Sequence, residues 1–137
     1  MIIGVGTDIV EIDRVEQACE RMAFLEKIYT EGERTLIAAD KRRAAGNFAV
    51  KEAVSKVFGT GFSRIKPRDI EVLRDPAGKP YVNLYAGAKQ LAQELGIERI
   101  HVSISDTKEL VVAFAVGEGG KEACYGTDSQ CGTDESD

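Results

Sequence analysis

NFAVKEAVSKVF, residues 47–58, sets small and β-branched side chains at helical spacing. At about 100° per residue, with Phe48 at zero, Ala49, Ala53, Val57, Val50, Val54 and Phe58 share one arc of roughly 180°. A face that broad suits burial against a sheet, so the stretch predicts a core helix in a protein that also has strands. The other half of the helix holds Lys51, Ser55, Glu52 and Lys56, with Phe48 in their midst. A large aromatic there predicts that the polar half is partly covered as well. Glu52 and Lys56 stand i,i+4. Either they make a solvated pair worth a few tenths of a kcal/mol, or they serve a site.

Outward from this stretch, the helix begins near Lys41, and Gly59 and Gly61 stop it. Upstream, "TEGE" (residues 30–33) has the spacing of a capping box, and a longer helix over 14–28 is expected with Asp13 as its N-cap and Glu16 as capping partner. The N-terminal "IIGVGTDIV" alternates as a strand. Gly4, Gly6, Asp8 and Val10 lie on one face, and Ile3, Val5, Thr7 and Ile9 on the other. Downstream, "DIEVLR" and "YVNL" flank the turn "DPAGKP" as a hairpin, "AGAKQLAQEL" is a helix closed by Gly96, and "RIHVSIS" with "LVVAFAV" makes a second hairpin. Strands and helices are partly segregated, which gives an α+β class with antiparallel strands packed on the long helix.

The chain has 137 residues, 43% of them hydrophobic, enough for one domain with a real core. We assign that domain to residues 1–116 and read 117–137, rich in Gly, Asp, Glu, Ser and Thr, as a disordered acidic tail. The longest apolar run, Leu110–Val116, is far short of the roughly 20 residues that cross a bilayer, so no membrane role is expected. The N-terminus lacks the pattern of a signal peptide, and the expected location is cytoplasmic. A net charge of −5 argues against nucleic acid as a partner. Cys19, Cys124 and Cys131 form no CxxC or Cys/His pattern and are read as free thiols.

Candidate chemistry begins with Asp8, a carboxylate in a strand that shares its face with two bare glycines. "GVGTD" lacks the third glycine of a dinucleotide fingerprint, and "GTGFS" lacks the lysine of a P-loop. If Asp8 and Glu52 approach each other, two hard oxygen ligands suit Mg²⁺, which keeps several waters and binds substrate phosphates; Lys56 would face the same charge. His101 alternates with Ser103 and Ser105 beside Asp106, but no GxSxG elbow surrounds either serine, which argues against a hydrolase. Over the helix expected at 14–28, Arg14, Ala18, Arg21 and Leu25 form a basic and apolar stripe that could receive an acidic partner helix.

"GVGTDIVEIDRV", "FAVKEAVSKVFGTG", "DIEVLRDPAGKPYV" and "IHVSISDTKE" together resemble, in order and spacing, the holo-[acyl-carrier-protein] synthases, the short bacterial branch of the 4′-phosphopantetheinyl transferases. The similarity spans roughly residues 1–116. It implies transfer of 4′-phosphopantetheine from coenzyme A to a serine of apo acyl carrier protein, releasing adenosine 3′,5′-bisphosphate and serving fatty acid biosynthesis. It further implies Asp8 and Glu52 as Mg²⁺ ligands, Lys56 on the phosphates, and either Glu52 or a metal-bound water as the base. By the same likeness His101, Lys79 and Pro80 bind coenzyme A, the helix carrying Arg14 and Arg21 docks the carrier, and the assembly is a homotrimer with sites between subunits. Two positions depart from the pattern. Asn47 stands where arginine is frequent, and Asp106 where histidine is frequent, both near the expected nucleotide site. The alternative reading is a non-catalytic module that holds a carrier protein; it would form a complex without transfer.

Overall fold

The structure, a computed structural model, describes residues 1–120. β1 (Ile2–Glu11) is followed by α1 (Ile12–Ala18), α2 (Met22–Ile28), α3 (Glu31–Ala39) and α4 (Arg43–Phe58). Two short 3₁₀ turns lead to β2 (Ile70–Arg74) and β3 (Pro80–Leu84), then α5 (Ala86–Leu95), β4 (Arg99–Asp106) and β5 (Leu110–Glu118). β1, β5 and β4 form an antiparallel sheet in that order, and β2 and β3 a separate hairpin. The α+β class holds.

α4 covers the inner face of the three-stranded sheet. Ala49, Val50, Ala53 and Val54 are fully buried there, as are Ala113 and Ala115 of β5. Small residues on both sides let helix and sheet approach closely, and Gly59, with φ of +80°, ends the helix in the left-handed conformation that glycine adopts without strain. The opposite face of the sheet stays apolar and exposed. Val5, Ile9 and Phe114 have 56%, 59% and 47% of their surface accessible.

Three expectations need correction. The helix over 14–28 is two helices, and α1 starts straight from β1 with Glu11, not Asp13, at its N-cap position. Core burial decides this. Ile12 is buried and its N–H donates to Glu109 O at 2.9 Å, while tight turns at Glu20 and Arg21 redirect the chain so that Ile28 also reaches the core. The stripe of Arg14, Ala18, Arg21 and Leu25 is therefore divided between two elements. Secondly, β5 continues to Glu118, and Gly119 N–H donates to Met1 O, so Gly117 and Glu118 belong to the sheet rather than the tail. Residues 121–137, with Cys124 and Cys131, lie outside the described residues. Thirdly, Asn47 does not face a cleft. It is fully buried, and its Nδ2 donates to Glu33 Oε2 and Val72 O at 3.0 Å each.

Candidate active site

β1 offers two glycines to α4, and this brings the carboxylates together. A Cβ on Gly6 would lie 1.9 Å from Ala53 O, and one on Gly4 2.5 Å from Val57 O, so only bare backbone permits this approach. Two residues along the same strand face, Asp8 meets the polar side of α4. Lys56 Nζ lies 3.5 Å from Asp8 Oδ1 and donates to Thr7 O at 2.8 Å. The ion pair at Lys56 thus runs to Asp8 across the packing, not along the helix to Glu52. Burial pushes the Glu52 carboxyl up from its ordinary range, the negative charge of Asp8 pushes it further, and Lys56 offsets part of the rise.

Two carboxylates that repel each other, with the Lys56 ammonium beside Asp8, fit a hard divalent ion. Among the described residues no third acidic, His or Cys side chain completes a cluster, so an ion held there keeps most of its positions for water and phosphate oxygens, as Mg²⁺ does.

Beside this pair runs an apolar groove lined by Ile9, Val10, Val15, Ala18, Phe24 and Phe48, with Glu11 and Arg14 at its edge. Val10 lies two residues along the strand face of Asp8 and Phe48 lies one turn before Glu52, so groove and carboxylates adjoin. Arg14 is exposed, 3.7 Å from Glu11. Arg21 precedes the first turn of α2.

The other expected residues stand apart within the chain. Pro80, next to Lys79 in the hairpin turn, lines a second cleft of about 240 Å³ with Arg42, Arg43, Arg74, Gly78 and Asp106. Asp106 pairs with Arg42 at 3.5 Å, and Arg42 also donates to Thr107 O at 2.9 Å. Arg74 is half-buried, and desolvation, then Arg43, draw its pKa below the usual guanidinium range. These arginines escaped the sequence reading because they come from α4's start and β2, joined only by packing. His101 lies on the outer face of the sheet, where its Nε2 is 2.8 Å from Glu118 Oε1, and it approaches neither cleft nor carboxylates.

The model of the 4′-phosphopantetheinyl transferase superfamily matches residues 4–115. A holo-[acyl-carrier-protein] synthase of Lachnoclostridium phytofermentans is 64% identical over 118 residues, covering 86% of this chain and 97% of that one. Among solved structures, a holo-(acyl-carrier-protein) synthase from Bacillus anthracis in complex with CoA (3′,5′-ADP) aligns with a TM-score of 0.72 at 36% identity, over 88% of this chain and 99% of its own. The Helicobacter pylori holo-[acyl-carrier-protein] synthase in complex with coenzyme A aligns with a TM-score of 0.75 at 31% identity, over 83% and 99%. On fold, motif order and the match over almost all of the described residues, the chain belongs to the 4′-phosphopantetheinyl transferase superfamily.

Proposed function

We propose that the chain is a phosphopantetheinyl transferase that moves 4′-phosphopantetheine from coenzyme A to a serine hydroxyl of an apo acyl carrier protein. The observation that carries this reading is the meeting of Asp8, Glu52 and Lys56 beside an apolar groove, in a member of this superfamily. Asp8 and Glu52 would hold Mg²⁺, and the ion would supply charge neutralisation on the coenzyme A diphosphate. Lys56, half-exposed and free to swing from Asp8, contacts the same phosphate oxygens. Glu52 or a metal-bound water would take the serine proton. The serine oxygen then forms a bond to the phosphorus that carries pantetheine. The bond from that phosphorus to the bridging oxygen breaks, and adenosine 3′,5′-bisphosphate leaves.

The groove and Arg14, with Arg21 near by, receive the carrier, the arginines meeting acidic side chains. Lys79, Pro80 and the arginine cleft bind the nucleotide half of coenzyme A, and His101 contributes from the outer sheet face of a neighbouring subunit. Because cleft and carboxylates are separate in one chain, we place them together across the interfaces of a homotrimer built on the exposed sheet face. The setting is cytoplasmic, where both substrates occur.

The test is to incubate the protein with coenzyme A, Mg²⁺ and apo acyl carrier protein and weigh the carrier by mass spectrometry. A carrier heavier by one phosphopantetheine is expected. An unmodified carrier, with or without complex formation, would reject the reading.

A further inference from the structure

Lys51 and Glu33 make an ion pair in the interior. Lys51 Nζ is 2.7 Å from Glu33 Oε1, and the side chains are 1% and 0% accessible. The remaining ammonium donors go to Pro67 O at 2.9 Å and to Ile70 O. Glu33 also accepts from Thr30 N–H at 3.0 Å, Asn47 Nδ2 at 3.0 Å and Val72 N–H at 3.2 Å. Both charged groups are thus fully used, and the network joins α3, α4, β2 and the turn before it.

A buried pair of this kind is a weak way to stabilise a fold, because desolvation offsets the attraction and apolar replacements of similar volume are often as stable. What it supplies is direction. Asn47 and Lys51, one turn apart, fix one side of α4. About 120° round the helix, the carbonyls of Ala53 and Val57 rest on Gly6 and Gly4. Glu52 and Lys56 project from the third side. The apolar packing of α4 is non-directional and tolerates a small roll, and directional hydrogen bonds on another side set the angle. For a side-chain tip about 5–6 Å from the helix axis, a roll of roughly 10° moves it about 1 Å. A misplacement of about 1 Å costs on the order of 10²-fold in rate.

We propose that Lys51 and Glu33 are positioning residues whose ion pair sets the roll of α4 against β1, and with it the separation of Glu52 from Asp8. The proposal rests on the reading of Asp8 and Glu52 as the metal-binding carboxylates. It goes beyond that reading by assigning a role to two side chains that touch no substrate.

The double variant Glu33→Gln/Lys51→Met removes both charges and keeps most of the volume. Glu33→Asp keeps the charge but shortens the reach, and it carries the test if the double variant does not fold. For each, thermal unfolding, Mn²⁺ binding followed by electron paramagnetic resonance in the presence of coenzyme A, and kcat and KM for the carrier are measured. The expected result is a folded protein with unchanged KM for the carrier, a Mn²⁺ dissociation constant raised about tenfold or more, and a kcat reduced to match. Folded variants with wild-type Mn²⁺ affinity and kcat would overturn the proposal. Glu52→Gln separates the two ideas. If it binds Mn²⁺ as the wild type does, the carboxylate reading itself fails; if it loses Mn²⁺ while the Glu33 variants keep it, only the positioning role fails.

Discussion

At Glu52, folding and chemistry pull in opposite directions. Burial and Asp8 hold its carboxyl above the ordinary 4.5, so the folded chain binds this proton more tightly than the unfolded chain does. The stabilising contribution is therefore present below pH 4.5 and is lost as pH rises through the raised value. In metal-free protein, Glu52→Gln should melt with the wild type at low pH and above it at pH 8, read by thermal denaturation across that range. An equal or lower midpoint at pH 8 would contradict the repulsion described here. The same substitution should abolish transfer, read from the carrier's mass, because on the proposed reading it removes a charged metal ligand. Glu52 and Lys56 were legible as candidates from residue type and helical angle, and Asp8 from its place beside two glycines on one strand face. The pairing of Lys56 was not, since an i,i+4 neighbour is visible in sequence and a partner 48 positions away is not. Lys51 shows the same limit: its polarity could be read, but its burial depends on Glu33 arriving from α3.

Among elements, the contact of β1 with α4 governs the site. Gly6→Ala sets a methyl group against the backbone oxygen of Ala53, which cannot rotate away as a side chain could. The strand or the helix must shift. The expected cost is about 1–3 kcal/mol in stability, measured by urea unfolding, with a larger proportional loss of transfer because the carboxylates separate. A variant as stable and active as wild type would show that the approach is not needed. Most elements could be read ahead from alternation, caps and glycine stops, as with the capping box at Thr30 and Glu33, which is present. The break between α1 and α2 could not. No glycine or proline marks residues 19–21, and the turn there exists because Ile12 and Ile28 are drawn into the same core. The split also leaves Arg14 and Arg21 on separate elements, so any carrier helix they receive bridges α1 and the start of α2.

For the molecule as a whole, the proposed reaction needs the carboxylate pair and the arginine cleft at one site, although they line different parts of one chain. β5 lies between β1, which carries Asp8, and β4, which gives Ile104 and Asp106 to the arginine cleft. The exposed face of that sheet presents Val5, Ile9, Val112 and Phe114, a patch suited to cover by other copies. Phe114→Asp should yield monomers in light scattering and lose transfer; an active monomer would refute the shared site. A mixing experiment tests the same arrangement without disturbing the interface. Glu52→Gln lacks the carboxylate half and Arg42→Ala/Arg74→Ala lacks the cleft, so each alone should be inactive. Arg42 contacts Asp106, Thr107 and Lys108 on the chain's own surface, and the half-buried Arg74 guanidinium lies beyond ion-pair distance of any carboxylate among the described residues, so the fold should tolerate their loss. After denaturation and joint refolding at equal amounts, a site works only where an intact carboxylate half from one copy faces an intact cleft from the next. In a closed ring with one-directional interfaces, random assembly gives this at roughly a quarter of the sites. Recovery near a quarter of wild-type activity is the expected outcome. If no activity returns although the mixed oligomers form, each chain completes its own site and the division between subunits is wrong.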